Sequence, residues 1–313
     1  MTKSHRYFMG IDTSNYTTSN AVVNCKLEVV ADHRKVLNVP KEQRGLRQSE
    51  ALFQHVKNLP ELFEQLQIDA NDLVAITASS RPRPVDNSYM PVFVPGVSFG
   101  RSLAAVLQIP FKEISHQETH IWSGLLAVDN PPINEFLVLQ LSGGTSELLK
   151  VRKNDDLSFT ICQIGSTIDL NAGQFIDRIG VLLGLDFPAG AMLEELANKA
   201  SSSVSIPSYH KQGKISFAGP LTATERLIRE HQPEDIALGV FSNIFRTIKK
   251  LLEWAMDETK ISDVLFVGGV ASNSIIRTNL SNSFRNHNFY FAEPKFCRDN
   301  AIGSAFYAAQ KFR

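Results

Sequence analysis

Five short segments of this 313-residue sequence combine residue types that can do chemistry. The sharpest is His116-Gln117-Glu118-Thr119-His120. Residues four apart share one face of a helix, and two imidazoles at that spacing can grip a single metal ion. A chain with eight histidines can also carry such a pair as two unrelated side chains. Gln117 stands where an HExxH zinc protease carries its glutamate, so a protease of that type would lack its general base here.

Two glycine turns follow strand-like runs. In Ser142-Gly143-Gly144-Thr145-Ser146 the glycines allow close backbone approach, and successive N–H groups with hydroxyls can cradle phosphate oxygens. In Val267-Gly268-Gly269-Val270-Ala271-Ser272-Asn273 a nucleotide could lie across the glycine pair, with Asn273 reaching a hydroxyl or phosphate. An ordinary turn fits either segment as well. Cys297-Arg298-Asp299-Asn300 precedes the last helix, where Asp299 suits an N-cap or, alternatively, the oxygen ligand of a two-His, one-carboxylate site. Asp177, on the helix opened by Ala172-Gly173-Gln174, suits a ribose or substrate hydroxyl, or plain solvent.

The elements that must position these residues follow from hydrophobic spacing. Tyr7–Ser14 reads as a strand ending in a polar turn, paired as a hairpin with 19–23. Helical spacing runs from Ser49 to Gln67, and short strands are expected at 73–77 and 111–114. The stretch 79–98, with Pro82, Pro84, Pro91 and Pro95, reads as a loop and a candidate lid, followed by a helix over 98–107. Pro131 and Pro132 break the chain, and strand, Gly/Ser/Thr turn and strand then recur over 136–151. Helices are expected near 172–183, 191–200 and 236–258, a buried strand at 263–267, and a terminal helix from Asn300.

Composition sets the class. Hydrophobic residues make up 43% and charged residues 20%, an ordinary globular balance. Lys+Arg and Asp+Glu are both 32, so any contact with RNA must rest on a local basic patch or on a partner. Cys25, Cys162 and Cys297 form no CxxC pair and suit reduced thiols. No run is long enough to span a bilayer and the N-terminus lacks a signal-peptide stretch, so a cytoplasmic protein without membrane contact is expected.

The order of the motifs carries further information than any one of them. Gly-Ile-Asp-Thr-Ser near the start, HxxxH, SGG-T, the AG…D…LLGLDFPAG block, SFAG, GGVASN and CRDNA occur in that sequence from about Met9 to Tyr307. The chain resembles the TsaD family of tRNA threonylcarbamoyladenosine synthases, once called O-sialoglycoprotein endopeptidases. The resemblance implies an α/β, actin/Hsp70/sugar-kinase fold, with two ribonuclease-H-like lobes and a nucleotide cleft between them. The lobes would be 1–130 and 131–299, the latter with a helical insertion, and the terminal helix 300–313 would pack on the first. The implied metal ligands are His116, His120 and Asp299, for iron, zinc or magnesium. Nucleotide and substrate contacts would fall on Gln140, Leu141, Ser142, Gly143, Gly144, Asp177, Gly190 and Asn273, with no catalytic residue assigned. The implied chemistry passes a threonylcarbamoyl group from its adenylate to a tRNA adenosine, with ATP and either a homologous lobe-type subunit or a second copy in support.

The departures are equally specific. Family members read SGGHT where this chain has Ser142-Gly143-Gly144-Thr145-Ser146, so a histidine is lost. Against their DDAAGEAFDK, Leu170, Asn171 and Gln174 differ, and acidic side chains are lost. Leu221 stands at the lysine after the SFSG-type turn, and the proline-rich 79–95 stretch replaces a GPG segment. Kept ligands beside altered neighbours suit a diverged paralogue. Such a protein either retains acyl or carbamoyl transfer or serves as a non-catalytic binding subunit; a metallo-glycoprotease is the third alternative.

Overall fold

The computed structural model describes residues 6–14, 16–39 and 46–313. Met1–His5, where the segment read for a leader begins, lie outside them. By compactness the chain divides into one unit of 1–127, 155–158 and 298–313, and another of 128–154 and 159–297.

In the first unit, β1 (Tyr7–Ser14) and β2 (Thr17–Asn24) form an antiparallel hairpin, extended antiparallel by β3 (Val29–Val36). After α1 (Gln48–Glu64) the chain returns as β4 (Leu73–Arg81), parallel to β1. Then α2 (Val94–Leu107) leads to β5 (Phe111–Ser115), parallel to β4, which runs directly into α3 (His116–Leu126). The strand order is β3-β2-β1-β4-β5.

Alternate residues of a strand face opposite sides, and β1 uses both. Met9 and Ile11 enter a core with Leu59 and Ala104 of α1 and α2. Gly10 faces the other way, against the C-terminal helix Ile302–Phe312. A β-carbon at Gly10 would overlap the Ala301 carbonyl oxygen, and one at Gly303 would overlap that of Thr119 and lie 2.8 Å from the Ser123 nitrogen. Two glycines thus let the C-terminal helix approach β1 and α3 at backbone distance.

In the second unit, β6 (Glu135–Leu141), β7 (Ser146–Lys153) and β8 (Phe159–Thr167) form an antiparallel meander. There follow α4 (Ala172–Leu182), α5 (Gly190–Ala197), a small hairpin of β9 (Tyr209–Lys211) and β10 (Lys214–Ser216), α6 (Ala218–Leu227) and the long α7 (Pro233–Thr259). The unit closes with β11 (Asp263–Val267), α8 (Ser274–Ser283), β12 (Asn288–Phe291) and α9 (Pro294–Cys297). Both β6 and β12 run parallel to β11, and the sheet order is β12-β11-β6-β7-β8-β10-β9. Ile236, Val240, Ile244, Ile248 and Leu251 of α7, at helical spacing, pack with Leu137, Leu139 and Leu148 of this sheet.

The series β8-β7-β6-β11-β12 repeats the order and directions of β3-β2-β1-β4-β5. Each unit is therefore built on the same five-stranded, ribonuclease-H-like plan. Both third strands, together with the β9–β10 hairpin, α6 and β12, are additions to the elements expected from spacing. The stretch 79–98 needs a larger correction. Its irregular part is only 82–90, because β4 extends to Arg81 and a 3-10 turn at Pro91–Phe93 leads into α2 at Val94. Val92 and Phe93 are buried, and Pro95 occupies the first turn of α2, where a missing N–H costs no helical bond. No helix among the described residues is long and apolar enough to cross a membrane.

Candidate metal centre

The sequence Ser-His-Gln-Glu starts α3 with a capping box: the Glu118 N–H donates to Ser115 Oγ at 3.2 Å, and the Ser115 N–H donates to the Glu118 carboxylate at 2.7 Å. This fixes His116 at the first helical position, and His120 follows one turn later. Asp299 arrives on the segment before the C-terminal helix. That helix is tied to α3 by the Thr119 and Ser304 hydroxyls at 2.9 Å and by Ser123 donating to Asn300 at 3.2 Å. Asp299 does not cap the helix; Asn300 Oδ1 accepts the Ile302 N–H at 2.8 Å instead.

His116, His120 and Asp299 come together, as a group whose ligand atoms all lie within 4.8 Å of one another. The two Nε2 atoms are 3.1 Å apart, and Asp299 Oδ1 lies 3.3 Å from that of His120 and 3.6 Å from that of His116. Donors about 2.0 Å from a tetrahedral ion are about 3.3 Å apart, so the three edges fit one small divalent cation. The side chains of His116 and His120 are 18% and 7% exposed and that of Asp299 is 34% exposed, which leaves one side of the group open.

Asp12, which spacing did not single out, completes the group from β1. Fully buried, its Oδ1 lies 2.9 Å from His116 Nδ1, its Oδ2 accepts the Ser14 N–H at 3.2 Å, and the Ser79 hydroxyl also donates to it. Carboxylate, imidazole and metal in line orient a ligating histidine and fix its tautomer. Burial acts to lower the His116 pKa, but the charge and hydrogen bond of Asp12, then those of Asp299, outweigh it and raise it to about 10. Burial likewise opposes ionisation of Asp12 and Asp299, yet His116 holds Asp12 below its ordinary value, and both histidines hold Asp299 well below.

Metal-free, the His116 ring therefore carries two protons, one on Nδ1 toward Asp12 and one on Nε2, the nitrogen that faces the other two ligands. A metal must displace the second. Because the folded pKa lies above neutrality, the proton competes less as pH rises toward that value. Metal affinity should accordingly increase about tenfold per pH unit between about pH 7 and 9, measured by chelator competition. A flat profile would contradict the proton on His116.

In the second unit the two glycine turns meet. The Val270 N–H donates to the Leu141 carbonyl at 3.0 Å, and the Gly173 N–H at the start of α4 donates to the Ser142 carbonyl at 3.3 Å. Gln140 lies opposite Val267 at the end of β6. Ser142 Oγ accepts the N–H groups of Gly144 and Thr145, at 3.3 and 3.0 Å, while β-carbons at Gly143 and Gly144 would meet nothing within 4 Å. The turn is locally closed and open to an incoming group. Asn273 is the N-cap of α8, accepting the Ile276 N–H at 3.0 Å. Asp177 accepts the Ala189 N–H at 2.9 Å, which brings it beside Gly190, and burial raises its pKa more than that bond lowers it.

The family model described as tRNA N6-adenosine threonylcarbamoyltransferase matches residues 32–306. The chain belongs to the TsaD family. A TsaD relative so described from Thermotoga neapolitana is 28% identical over 311 residues, covering 94% of this chain and 90% of its own length. Another from Prochlorococcus marinus is 30% identical over 280 residues, covering 80% and 74%. Among solved structures, component A of (R)-2-hydroxyglutaryl-CoA dehydratase from Acidaminococcus fermentans matches with a TM-score of 0.61 over 98% of both chains at 17% identity, a likeness of fold. The architecture is the actin/Hsp70/sugar-kinase fold of two ribonuclease-H-like lobes. Leu170 and Leu221 join the core of the second unit, and Gln174 accepts the Asn171 N–H at 3.1 Å.

Proposed function

We propose that this chain is a metal- and nucleotide-binding transferase that moves a threonylcarbamoyl group from its adenylate to the exocyclic amine of a tRNA adenosine. The convergence of His116, His120 and Asp299, in a chain matched by a model of that description, carries this reading. In the transfer a C–N bond forms at the carbamoyl carbon, the C–O bond to the adenylate phosphate breaks, and AMP and a proton leave. His116, His120 and Asp299 would hold the cation, with Asp12 fixing the His116 ring. The mixed nitrogen and oxygen donors suit iron or zinc and admit magnesium. When bound, the ion supplies Lewis-acid polarisation of acyl and phosphate oxygens. The turns at Gln140–Gly144 and Gly268–Asn273 would receive the nucleotide phosphates, and Asp177 with Gly190 would receive a ribose or acyl hydroxyl.

A second reading, a non-catalytic binding subunit that works with a homologous lobe-type partner or a second copy, is favoured by the departures. Leu170 and Leu221 lie in the core, and Gln174 serves α4 rather than a ligand. The protease reading has less support, because Gln117 is buried and its N–H is bonded to the Pro82 carbonyl at 3.0 Å. The test is the modified-adenosine content of tRNA in cells depleted of their own TsaD. Restoration by this chain supports the transferase; absence of restoration by a soluble, metal-binding chain leaves the binding subunit.

A further inference from the structure

Both ends of the irregular 82–90 stretch lie against His116. Arg81 stands opposite Ser115 in the β4–β5 register, and the Pro82 carbonyl accepts the Gln117 N–H at 3.0 Å, so the Arg81–Pro82 step brackets His116. At the other end the Phe93 ring is 5.9 Å from the His116 ring. The β4–β5 pairing shifts between Ser79 and Arg81, where Ser80 is an extra residue whose hydroxyl donates to the Ile114 carbonyl at 3.4 Å. Such a bulge re-aims the side chain beside it. It falls at the carboxyl ends of the parallel strands β1, β4 and β5, the edge at which open α/β sheets take their ligands. Arg81, Arg83, His116 and Asp299 all belong to the first unit.

Arg81 is half-buried, and among the described residues its side chain has no ion pair or hydrogen bond. A guanidinium offers five donors in a planar fork, and withdrawing it from water without an anion is costly. The carboxylates around it are committed elsewhere. Asp12 is held by His116 and the Ser14 N–H, Asp299 lies against both histidines, and Glu118 accepts from Ser115. Asp86 is exposed in the Val85–Ser88 turn, at the far end of the loop. The first turn of α3 is not free to receive an anion either, because the Gln117 N–H goes to Pro82 and the Glu118 N–H to Ser115 Oγ. A second guanidinium, that of exposed Arg83, follows two residues on. Both arginines precede prolines, which keeps their backbones extended and sets their Cα atoms about 7 Å apart.

We infer that Arg81 grips a free carboxylate on the transferred acyl group, beside the metal centre, with Arg83 as a second cation. A bidentate arginine–carboxylate pair is directional as well as charged, so it selects acyl groups that carry the acid over their uncharged amides. The inference rests on the transferase reading above and adds to it a specificity-determining residue, supplied by the proline-rich stretch in which the chain departs from the TsaD pattern.

The test compares binding of N-carbamoyl-L-threonine with that of its carboxamide, which lacks only the negative charge, and uses AMP as the reference ligand. It is run on the full chain with chelator present, so that a metal ion adds nothing to either affinity. Wild type should prefer the acid by about tenfold or more. Arg81→Gln should lose that preference while binding AMP and the carboxamide as wild type does. Arg81→Lys, which keeps the charge without the fork, should retain part of it. Arg83→Gln, at an exposed position, should lower the preference about two- to fivefold, and it carries the test if Arg81→Gln lowers Tm. Equal affinity of wild type for acid and carboxamide, binding of neither, or an acid preference that survives in Arg81→Gln would overturn the inference. So would loss of AMP rather than of the acid in that variant, which would place Arg81 at the phosphate. An Arg81-dependent acid preference in a chain that transfers nothing would defeat the transferase reading and leave this carboxylate site standing.

Discussion

Asp299→Ala is expected to lower metal affinity by more than about 100-fold, because loss of a direct donor costs more than the 10- to 100-fold typical of an outer partner. The fold should survive. In the metal-free chain His116 keeps its bond to Asp12 at 2.9 Å, and Asn300 rather than Asp299 accepts the Ile302 N–H at the helix start. Thermal unfolding without metal should therefore change little, while the stabilisation that added metal gives wild type should disappear. His120→Ala should behave in the same way. Metal content after dialysis, read beside the two melting curves, checks both halves. Undiminished metal binding in Asp299→Ala would remove Asp299 from the centre.

Gly303→Val should act on the same centre through the scaffold. Its β-carbon would overlap the Thr119 carbonyl oxygen, a backbone atom held within α3, so the two helices must separate. Overpacking of this kind costs about 3 kcal/mol or more, roughly 5 °C or more in Tm for a chain of 313 residues. Separation would also break the Thr119–Ser304 and Ser123–Asn300 bonds that place Asp299 near the histidines, so metal affinity should fall although no ligand has changed. Gly219→Ala is the control, since a β-carbon there would meet nothing within 4 Å. Calorimetry of the three proteins, with and without metal, separates a loss of stability from a loss of binding. A Gly303→Val protein as stable as wild type would mean that α3 and the C-terminal helix are not packed at backbone distance.

The parts of this architecture visible in the sequence are those with strong periodicity. The β1–β2 and β6–β7 hairpins and α7 bury whole faces, so their apolar spacing is clean. The third strands are different. β3 exposes Val29 and Val30 and continues through Asp32-His33-Arg34-Lys35, which shows neither alternation nor a buried run. Pro91 and Pro95 suggested a long loop, whereas Pro95 in fact begins a helix. At the centre, the pairing of His116 with His120 is local and legible from i, i+4 spacing. The Ser115–Glu118 capping box is a local signal too, and it would have fixed the start of α3. For Asp299 the sequence alone favours a cap over a third ligand, and the family resemblance is what joins it to the histidines. Asp12 lies in the Gly-Ile-Asp-Thr-Ser motif, but no spacing ties it to the histidines. It reaches His116 across 104 residues because β4 seats β5, and so the start of α3, beside β1. Periodicity carries no record of which strands become neighbours.

The proposed role of the His116–His120–Asp299 centre is to sustain threonylcarbamoyl transfer to tRNA. Its most direct measurement is single-turnover transfer of labelled threonylcarbamoyl from the adenylate to unmodified tRNA, with any supporting subunit present. It would be run on chelator-treated chain, on chain with metal restored, and on Asp299→Ala with metal added. Label should reach the tRNA only with metal-restored wild type. Equal transfer by Asp299→Ala, or none by metal-restored wild type, would contradict that role.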